Sequence, residues 1–174
     1  MKIAVFSDIH DNFHNLNLVL GEIKKRKITT AFCLGDFISA DIIKSIIDSG
    51  LTVYTIWGNN DGEKYKIMKM AWESKGKMIL SRTEHMEVGI DGKKAFLIHR
   101  HDFVKSLAKS GDFNAVFYGH NHIQYVEKLP NGCLLANPGE VSGHGTGKVS
   151  FMIWDTQKNE VETIHIKNPL LVTK

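Results

Sequence analysis

Short apolar runs alternate with amphipathic stretches through the first third of the chain. The run at 3–6 is followed by a polar loop and by apolar residues over 16–23 that share one face of a helix. The pattern repeats with a run at 31–34 and an isoleucine stripe over 42–47, after which 53–56 begins a third strand. Such alternation predicts parallel strands joined by helical crossovers.

The rest of the chain is predicted to consist mainly of short strands. A basic helical stretch over 63–72 comes first, and residues 103–108 carry the apolar face of one more helix. Strands are predicted at 85–88, 95–98, 115–118, 123–127, 133–136, 149–154 and 161–166. The turn signals Asp91-Gly92 and Asn131-Gly132 separate neighbouring strands. We therefore predict a single α/β domain over residues 1–174, with a strand-rich second half.

Composition and charge are those of an ordinary globular protein. Hydrophobic residues make up 43% of the chain and charged residues 24%, close to the average of soluble proteins. Lysine and arginine exceed aspartate and glutamate by only 22 to 19, which does not indicate nucleic-acid binding and leaves nucleic acid only as a substrate. No apolar stretch reaches the ~18 residues of a membrane span. Cys33 and Cys133 lack metal or disulfide spacing, so we expect a cytoplasmic protein without a membrane partner.

Five polar clusters stand directly after predicted strands, where open α/β sheets build their ligand sites. They are Asp8-x-His10, Gly35-Asp36, Gly58-Asn59-Asn60-Asp61, His99-Arg100-His101 and Gly119-His120-Asn121-His122. A single cluster of this kind arises often by chance, because most lone histidines beside a strand bind nothing. Five clusters in the same position, all offering nitrogen or oxygen ligands, predict a site for metal ions.

The spacing within the clusters suits metal binding. Residues two apart in an extended segment point the same way, so Asp8 with His10, and His120 with His122, would each hold one ion from one side. The glycines at positions 35, 58 and 119 would let the backbone turn sharply at the strand end. The next side chain could then face the cluster.

The ordered set of clusters resembles the motifs of the calcineurin-like metallophosphoesterase superfamily. The resemblance runs from Lys2 to about Trp154 and is closer to the small single-domain branch that includes YfcE-type bacterial phosphodiesterases and the retromer subunit Vps29. It implies a two-sheet β-sandwich flanked by helices, the four-layer fold of the superfamily, with a dimetal site at the strand ends. It also implies hydrolysis of phosphate esters, in which a hydroxide bridging two metals attacks phosphorus in line.

The resemblance also implies a ligand for each ion, residue by residue. One ion would be held by Asp8, His10, Asp36 and His122, and the other by Asp36, Asn59, His99 and His120. We expect manganese, although iron, zinc, nickel and cobalt accept the same ligands. Histidine ligands must be neutral, so protons should compete with metal as the pH falls towards ~6.5. We predict that activity in metal-limited buffer is lost between pH 7.5 and pH 5.5.

Three positions depart from the family pattern. Arg100 stands where glycine is usual, and its guanidinium either contacts a substrate phosphate in bidentate fashion or points to solvent. Asn60 stands where phosphoprotein phosphatases of the superfamily carry a histidine that protonates the leaving group, which favours substrates with good leaving groups. Glu140, at the end of Asn137-Pro138-Gly139-Glu140, replaces a serine. Its charge either repels phosphate or finds a basic partner.

Other positions near the clusters leave two interpretations open. Asp61 either orients a neighbouring histidine or caps the helix that follows it. His101 either lies near the leaving group or is an exposed turn residue. Met68 and Trp72, four residues apart on the 63–72 helix, are expected to pack within the fold.

We predict an enzyme that hydrolyses phosphate esters, with a small phosphodiester as the expected substrate. The residues assigned to catalysis are Asn59, Arg100 and His120. The alternative is a protein-interaction scaffold like Vps29 with weak or absent catalysis, because a fold alone does not decide function. All seven ligand positions hold competent ligands, which favours the enzyme. A symmetric homodimer is the default expectation for the assembly.

Overall fold

The computed structural model describes residues 1–167 of the chain. The strands are β1 (Lys2–Phe6), β2 (Thr30–Cys33), β3 (Thr52–Thr55), β4 (Met78–Leu80), β5 (His85–Ile90), β6 (Lys93–Ile98), β7 (Ala115–Tyr118), β8 (Tyr125–Lys128), β9 (Leu134–Asn137), β10 (Val149–Asp155) and β11 (Glu160–Ile166). The helices are α1 (Phe13–Lys25), α2 (Ala40–Asp48), α3 (Lys64–Glu73) and α4 (Val104–Lys109). The predicted domain also included residues 168–174, which lie outside the described part.

The strands form two mixed sheets. The larger sheet has the order β11-β10-β1-β2-β3-β4, and the smaller has the order β5-β6-β7-β9-β8. Strands β1 to β4 run parallel, as the alternating pattern predicts for β1 to β3, whereas β10 pairs antiparallel with β1 and with β11. In the smaller sheet β6, β7 and β9 are parallel, and the outer strands β5 and β8 are antiparallel to them. The expected fold class, two sheets flanked by helices, is confirmed.

Three apolar layers hold these elements together. Helices α1 to α3 cover the outer face of the larger sheet, and the fully buried Leu16 belongs to that layer. Between the sheets, Phe117 and Trp154 pack with ring centroids 5.3 Å apart, and Phe32 completes the aromatic centre. Helix α4 covers the smaller sheet through residues such as Val104. Burying each such side chain contributes about 1.5–3 kcal/mol, which stabilises the layered arrangement.

Two features of the larger sheet's edge differ from the sequence expectations. The apolar pattern gives no strand at β4, because three residues are too few for a periodicity to be recognised. Met68 and Trp72 do not pack within the fold, since they are 59% and 88% exposed. Helix α3 buries Ile67 against the sheet, and Met68 and Trp72 therefore lie on the side of the helix that faces solvent.

The parallel strands bring the polar clusters to one edge of the sandwich. The clusters follow β1, β2 and β3 in the larger sheet and β6 and β7 in the smaller sheet. Because parallel strands end at the same edge, segments far apart in sequence meet there. No helix within residues 1–167 is long and apolar enough to cross a membrane.

Candidate metal centre

Left-handed backbone conformations direct the predicted ligands into the centre. Positive φ angles occur at Asp8 (56°), His10 (47°), Asp36 (52°), His120 (71°) and His122 (62°). The expectation that the two pairs of ligands lie in extended segments is therefore wrong, because both pairs lie in loops beyond the strand ends. Such conformations cost non-glycine residues about 1–3 kcal/mol each and persist only where surrounding contacts hold them. They concentrate at functional sites.

Glycine residues let the loops approach each other closely. A Cβ atom on Gly58 would lie 2.1 Å from Asp36 Oδ1, and one on Gly119 would lie 2.2 Å from Ser7 Oγ. Neither glycine has a positive φ. Glycine is needed at these two positions because there is no space for a side chain, and not because the backbone turns sharply. The turn expectation fits Gly35, whose φ is +91°.

The first group of predicted ligands, here called the His122 half-site, consists of Asp8, His10, Asp36 and His122. His122 Nε2 lies 3.5 Å from Asp8 Oδ1 and 3.2 Å from His10 Nε2. His10 Nε2 lies 3.6 Å from Asp36 Oδ2. Asp8 Oδ1 is buried and has no hydrogen-bond partner among the described residues. A buried carboxylate oxygen without a donor is costly unless a cation binds there.

The second group, here called the His99 half-site, consists of Asp36, Asn59, His99 and His120. His99 Nε2 lies 3.0 Å from Asn59 Oδ1 and 3.5 Å from Asp36 Oδ2. The His120 ring packs against His99 with centroids 5.2 Å apart. Asp36 Oδ2 thus faces histidines of both half-sites. All seven predicted ligands meet at the one edge.

The Nδ1 atoms of two of these histidines, which point away from the centre, each form a hydrogen bond. His122 Nδ1 lies 2.9 Å from the buried carboxylate of Glu140, and His99 Nδ1 lies 2.7 Å from the carbonyl oxygen of Leu34. Both partners accept hydrogen bonds, so Nδ1 carries the proton, and in the neutral imidazole Nε2 presents a lone pair to the centre. At His99 this lone pair faces two further acceptor oxygens. A cation between them would satisfy this group of acceptors.

Glu140 and Asn60, two of the three departures from the family pattern, stabilise the predicted ligands. Glu140 has found a basic partner in His122, and it also accepts from Ser142 Oγ and from the Thr146 backbone N–H. Asn60 donates its backbone N–H and its side-chain amide to the two carboxylate oxygens of Asp36, at 2.9 Å and 2.8 Å. Asn60 therefore fixes the carboxylate that faces both half-sites.

Asp61 has a role that neither sequence interpretation contained. Its carboxylate accepts backbone N–H bonds from Gly58 at 2.6 Å, Ile38 at 2.8 Å and Asp36 at 3.1 Å. Among residues 1–167 it contacts no histidine, and it does not cap α3, whose N-cap residue is Glu63. Asp61 ties the loop after β2 to the loop after β3 and so positions two of the clusters. No sequence pattern reports these contacts, because the donors are main-chain groups more than twenty residues away or in the same tight turn.

Electrostatics at the centre favour a bound cation. Burial raises the pKa of Asp8 above its usual range. Burial opposes ionisation of Asp36 as well, but in the metal-free protein hydrogen bonds from protonated His99 and from Asn60 outweigh it and hold the pKa of Asp36 well below its usual range. The pKa of His122 is raised by its hydrogen bond to Glu140. Burial lowers the pKa of His99, yet Asp36 more than compensates and raises it. The centre thus attracts positive charge, and protons compete with a metal ion for it.

The remaining candidates lie at the surface of the centre. The Arg100 guanidinium donates from Nε to Glu84 at 3.1 Å, and both side chains are solvent-exposed. His101 is exposed and stacks on His120, with ring centroids 5.4 Å apart. The pKa of His120 is lowered by burial and by its neighbours His99, Arg100 and His101. Arg100 therefore lies outside the group of converging ligands, and His101 borders it.

Comparisons with known proteins agree with the fold described above. The model of the calcineurin-like phosphoesterase superfamily domain matches residues 1–159. The phosphodiesterase MJ0936 of Methanocaldococcus jannaschii is 32% identical over 166 residues, which cover 94% of this chain and 98% of that protein. The solved structure of a novel archaeal phosphodiesterase has a TM-score of 0.88 at 32% identity and covers 95% of this chain and 100% of that one.

Two more distant structures share the fold. The phosphoesterase YfcE of E. coli has a TM-score of 0.65 at 18% identity, covering 96% of this chain and 100% of that one. Zinc-complexed Vps29 from Entamoeba histolytica has a TM-score of 0.67 at 15% identity, covering 95% and 98% of the two chains. Family model, sequence and fold agree, and the chain belongs to the calcineurin-like phosphoesterase superfamily.

Proposed function

We propose that this protein is a metal-dependent phosphoesterase that hydrolyses phosphodiesters. The observation that carries the proposal is the meeting of acceptor atoms at the strand ends. His99 Nε2 lies 3.0 Å from Asn59 Oδ1 and 3.5 Å from Asp36 Oδ2. The buried Asp8 Oδ1 has no hydrogen-bond donor among the described residues. Similarity to MJ0936, which is named a phosphodiesterase, supports a diester substrate.

Two divalent cations fit these residues. Asp8, His10, Asp36 and His122 would hold one ion, and Asp36, Asn59, His99 and His120 would hold the other, with Asp36 shared. When bound, such ions supply positive charge for a phosphate group and increase the acidity of a water molecule. Manganese is the favoured metal, and iron, zinc, nickel and cobalt suit the same nitrogen and oxygen ligands.

The chain's own groups would orient the ligands and admit the ester. Glu140 and the Leu34 carbonyl keep His122 and His99 in the tautomer whose Nε2 is free to bind. Asn59 contributes a neutral oxygen, which leaves more of the cations' charge to attract a phosphate. Asn59 is exposed and His120 is half-buried, so both lie where an ester would enter from solvent.

Proton donation to the leaving group limits the expected substrates. Asn60 donates its amide to Asp36, and an amide is too weak an acid to protonate a leaving group. Arg100 donates a hydrogen bond to Glu84, so it takes part in catalysis only if its guanidinium leaves Glu84 and binds a substrate phosphate. We therefore expect a small phosphodiester with a good leaving group.

An interaction scaffold is the second candidate, and one surface favours it. Tyr65, Met68 and Trp72 of α3 are 84%, 59% and 88% exposed. Aromatic and methionine side chains exposed together are typical of surfaces that bind other proteins. This surface is compatible with catalysis, so an activity measurement has to distinguish the enzyme from the scaffold.

Metal removal and replacement tests the proposed function. The protein is stripped with a chelator, its metal content is measured, and single divalent metals are restored before assay. We expect no hydrolysis in the stripped protein, recovery with manganese, and faster cleavage of bis-p-nitrophenyl phosphate than of p-nitrophenyl phosphate. Full activity without metal, or no hydrolysis with any of the five metals, would contradict the proposal. The second result would favour the scaffold.

A further inference from the structure

A cavity of about 290 Å³ lies beside the candidate metal centre, with His122 as part of its wall. We call it the edge cavity, because it lies at the open side of the sandwich near the outer strand β11. Its other lining residues include Gln124, Thr146, Lys148 and His165. A ligand in this cavity would contact a residue whose Nε2 faces the candidate metal centre.

Two side chains in the edge cavity that can donate hydrogen bonds, Lys148 and His165, have no acidic partner among the described residues. Neither Lys148 nor His165 forms an ion pair with any carboxylate of residues 1–167, and both are exposed. The acidic neighbour of His165 on β11, Glu162, lies on the opposite face of the strand and pairs with Arg26 at 3.3 Å. An ammonium offers three hydrogen-bond donors and an imidazole offers at least one. The cavity therefore presents donors and positive charge.

The carboxylate of Glu140 forms its hydrogen bonds with groups other than Lys148 and His165. Glu140 is fully buried, and its oxygens accept hydrogen bonds from His122 Nδ1, Gly145 N and the Thr146 N–H and hydroxyl. These donors stabilise the carboxylate, so Glu140 does not pair with Lys148 or His165. Gln124 donates to Thr163 Oγ1 at 3.0 Å and retains a second amide hydrogen for a ligand.

We propose that the edge cavity binds a second phosphate group of the substrate. The enzyme would then favour phosphodiesters in which another phosphate is attached close to the scissile one, through a sugar or a similar small linker. This inference rests on the proposed function and specifies its substrate class. Lys148 and His165 are the specificity-determining residues, because they would contact the second phosphate and not the reacting one.

Two p-nitrophenyl esters that differ by one phosphate test the inference. They are thymidine 5′-(p-nitrophenyl phosphate) and the same ester with a 3′-phosphate. Release of p-nitrophenolate reports cleavage of the diester alone in both compounds. At low, fixed ionic strength, a charge-assisted contact to the 3′-phosphate should raise kcat/KM by about tenfold or more.

Variants assign the preference to the cavity. In Lys148→Ala and His165→Ala the ratio of kcat/KM for the two esters should fall towards one. Lys75→Ala is the matched control. Lys75 is an exposed lysine in the turn before β4, at the end of the larger sheet that lies opposite the candidate metal centre. It should keep the wild-type ratio.

The outcomes separate the two proposals. If the wild-type protein cleaves bis-p-nitrophenyl phosphate but treats the two thymidine esters equally, the phosphate subsite is wrong and the proposed function stands. A preference that survives in both cavity variants overturns the subsite as well. If no ester is cleaved with any metal, the proposed function fails and this inference fails with it.

Discussion

The two half-sites hold their histidines in different ways. His122 donates to a buried carboxylate, that of Glu140, whereas His99 donates to a main-chain carbonyl, that of Leu34. A carboxylate behind a metal-binding histidine makes the imidazole a stronger ligand than a neutral acceptor does. In the proposed ligand assignment, the His122 half-site contains Asp8 in addition to the shared Asp36, while the His99 half-site has the neutral Asn59 in its place.

If two metal ions bind as proposed, this difference implies that they are not equivalent. The His122 half-site combines more negative charge with a charged anchor, so we expect it to bind its ion first and more tightly. The His99 half-site is open to solvent at Asn59, which is exposed. Its ion would exchange more readily and would be the one that a phosphate ester meets first. Unequal affinity thus follows from the partners behind the ligands as well as from the ligands themselves.

The largest effect is expected where the half-sites share a residue. In Asp36→Asn both groups lose their common carboxylate, so both ions should be lost and kcat/KM should fall by more than about a thousandfold. Metal content measured by atomic emission, together with the diester assay, checks this. Bound metal with full turnover would show that Asp36 does not link the half-sites.

Removing the charged anchor should affect only one half-site. In Glu140→Gln the affinity for the ion at the His122 half-site should fall about 10–100-fold, because an amide holds the imidazole less firmly than a carboxylate. Calorimetric titration of the stripped protein should resolve the two binding steps. ¹⁵N NMR of the metal-free protein should also show loss of the single His122 tautomer.

The control for this variant keeps the anchor and removes one of its other contacts. Ser142 donates its hydroxyl to Glu140, so Ser142→Ala perturbs the same loop and leaves the bond between Glu140 and His122 in place. We expect nearly wild-type metal binding in this control. Equal losses in both half-sites of Glu140→Gln would remove the basis of the comparison.

Adding charge to the weaker half-site should make the two more alike. In Asn59→Asp a carboxylate replaces the neutral ligand, so the affinity for the second ion should rise by about tenfold. Turnover should fall at the same time, because less positive charge remains to attract the phosphate. The same titration and diester assay measure both quantities. Unchanged affinity would indicate that Asn59 does not contact the metal.

The smallest effect is expected at the surface. Arg100→Gly removes an exposed ion pair with Glu84, which contributes no more than about 1 kcal/mol. Metal content should be unchanged, and kcat/KM should change by about fivefold or less, to different extents for diester and monoester substrates. A loss of metal in this variant would contradict the position of Arg100 outside the ligand cluster.

Much of the fold and of the candidate centre was predictable because the relevant signals are local. The alternation of apolar runs and helical stripes gives β1 to β3 as parallel strands, and the position of Asp8, Asp36 and His99 after strands places them at one edge. Short or outward-facing features were not predictable. β4 has too few residues for a period, and Met68 and Trp72 have helical spacing whether their side of α3 faces the sheet or the solvent.

The sequence by itself determined which chemical groups are available and at which ends of the strands they stand. Only the tertiary structure decided which groups surround them. It set the left-handed loops that direct Asp8 and His122 and the three hydrogen bonds that Asp61 accepts from backbone N–H groups. It also paired Glu140 with His122 and formed the cavity lined by Lys148. The physical reason is that hydrogen bonds, burial and unpaired charge depend on contacts between residues far apart in the chain. Sequence spacing carries no record of those contacts.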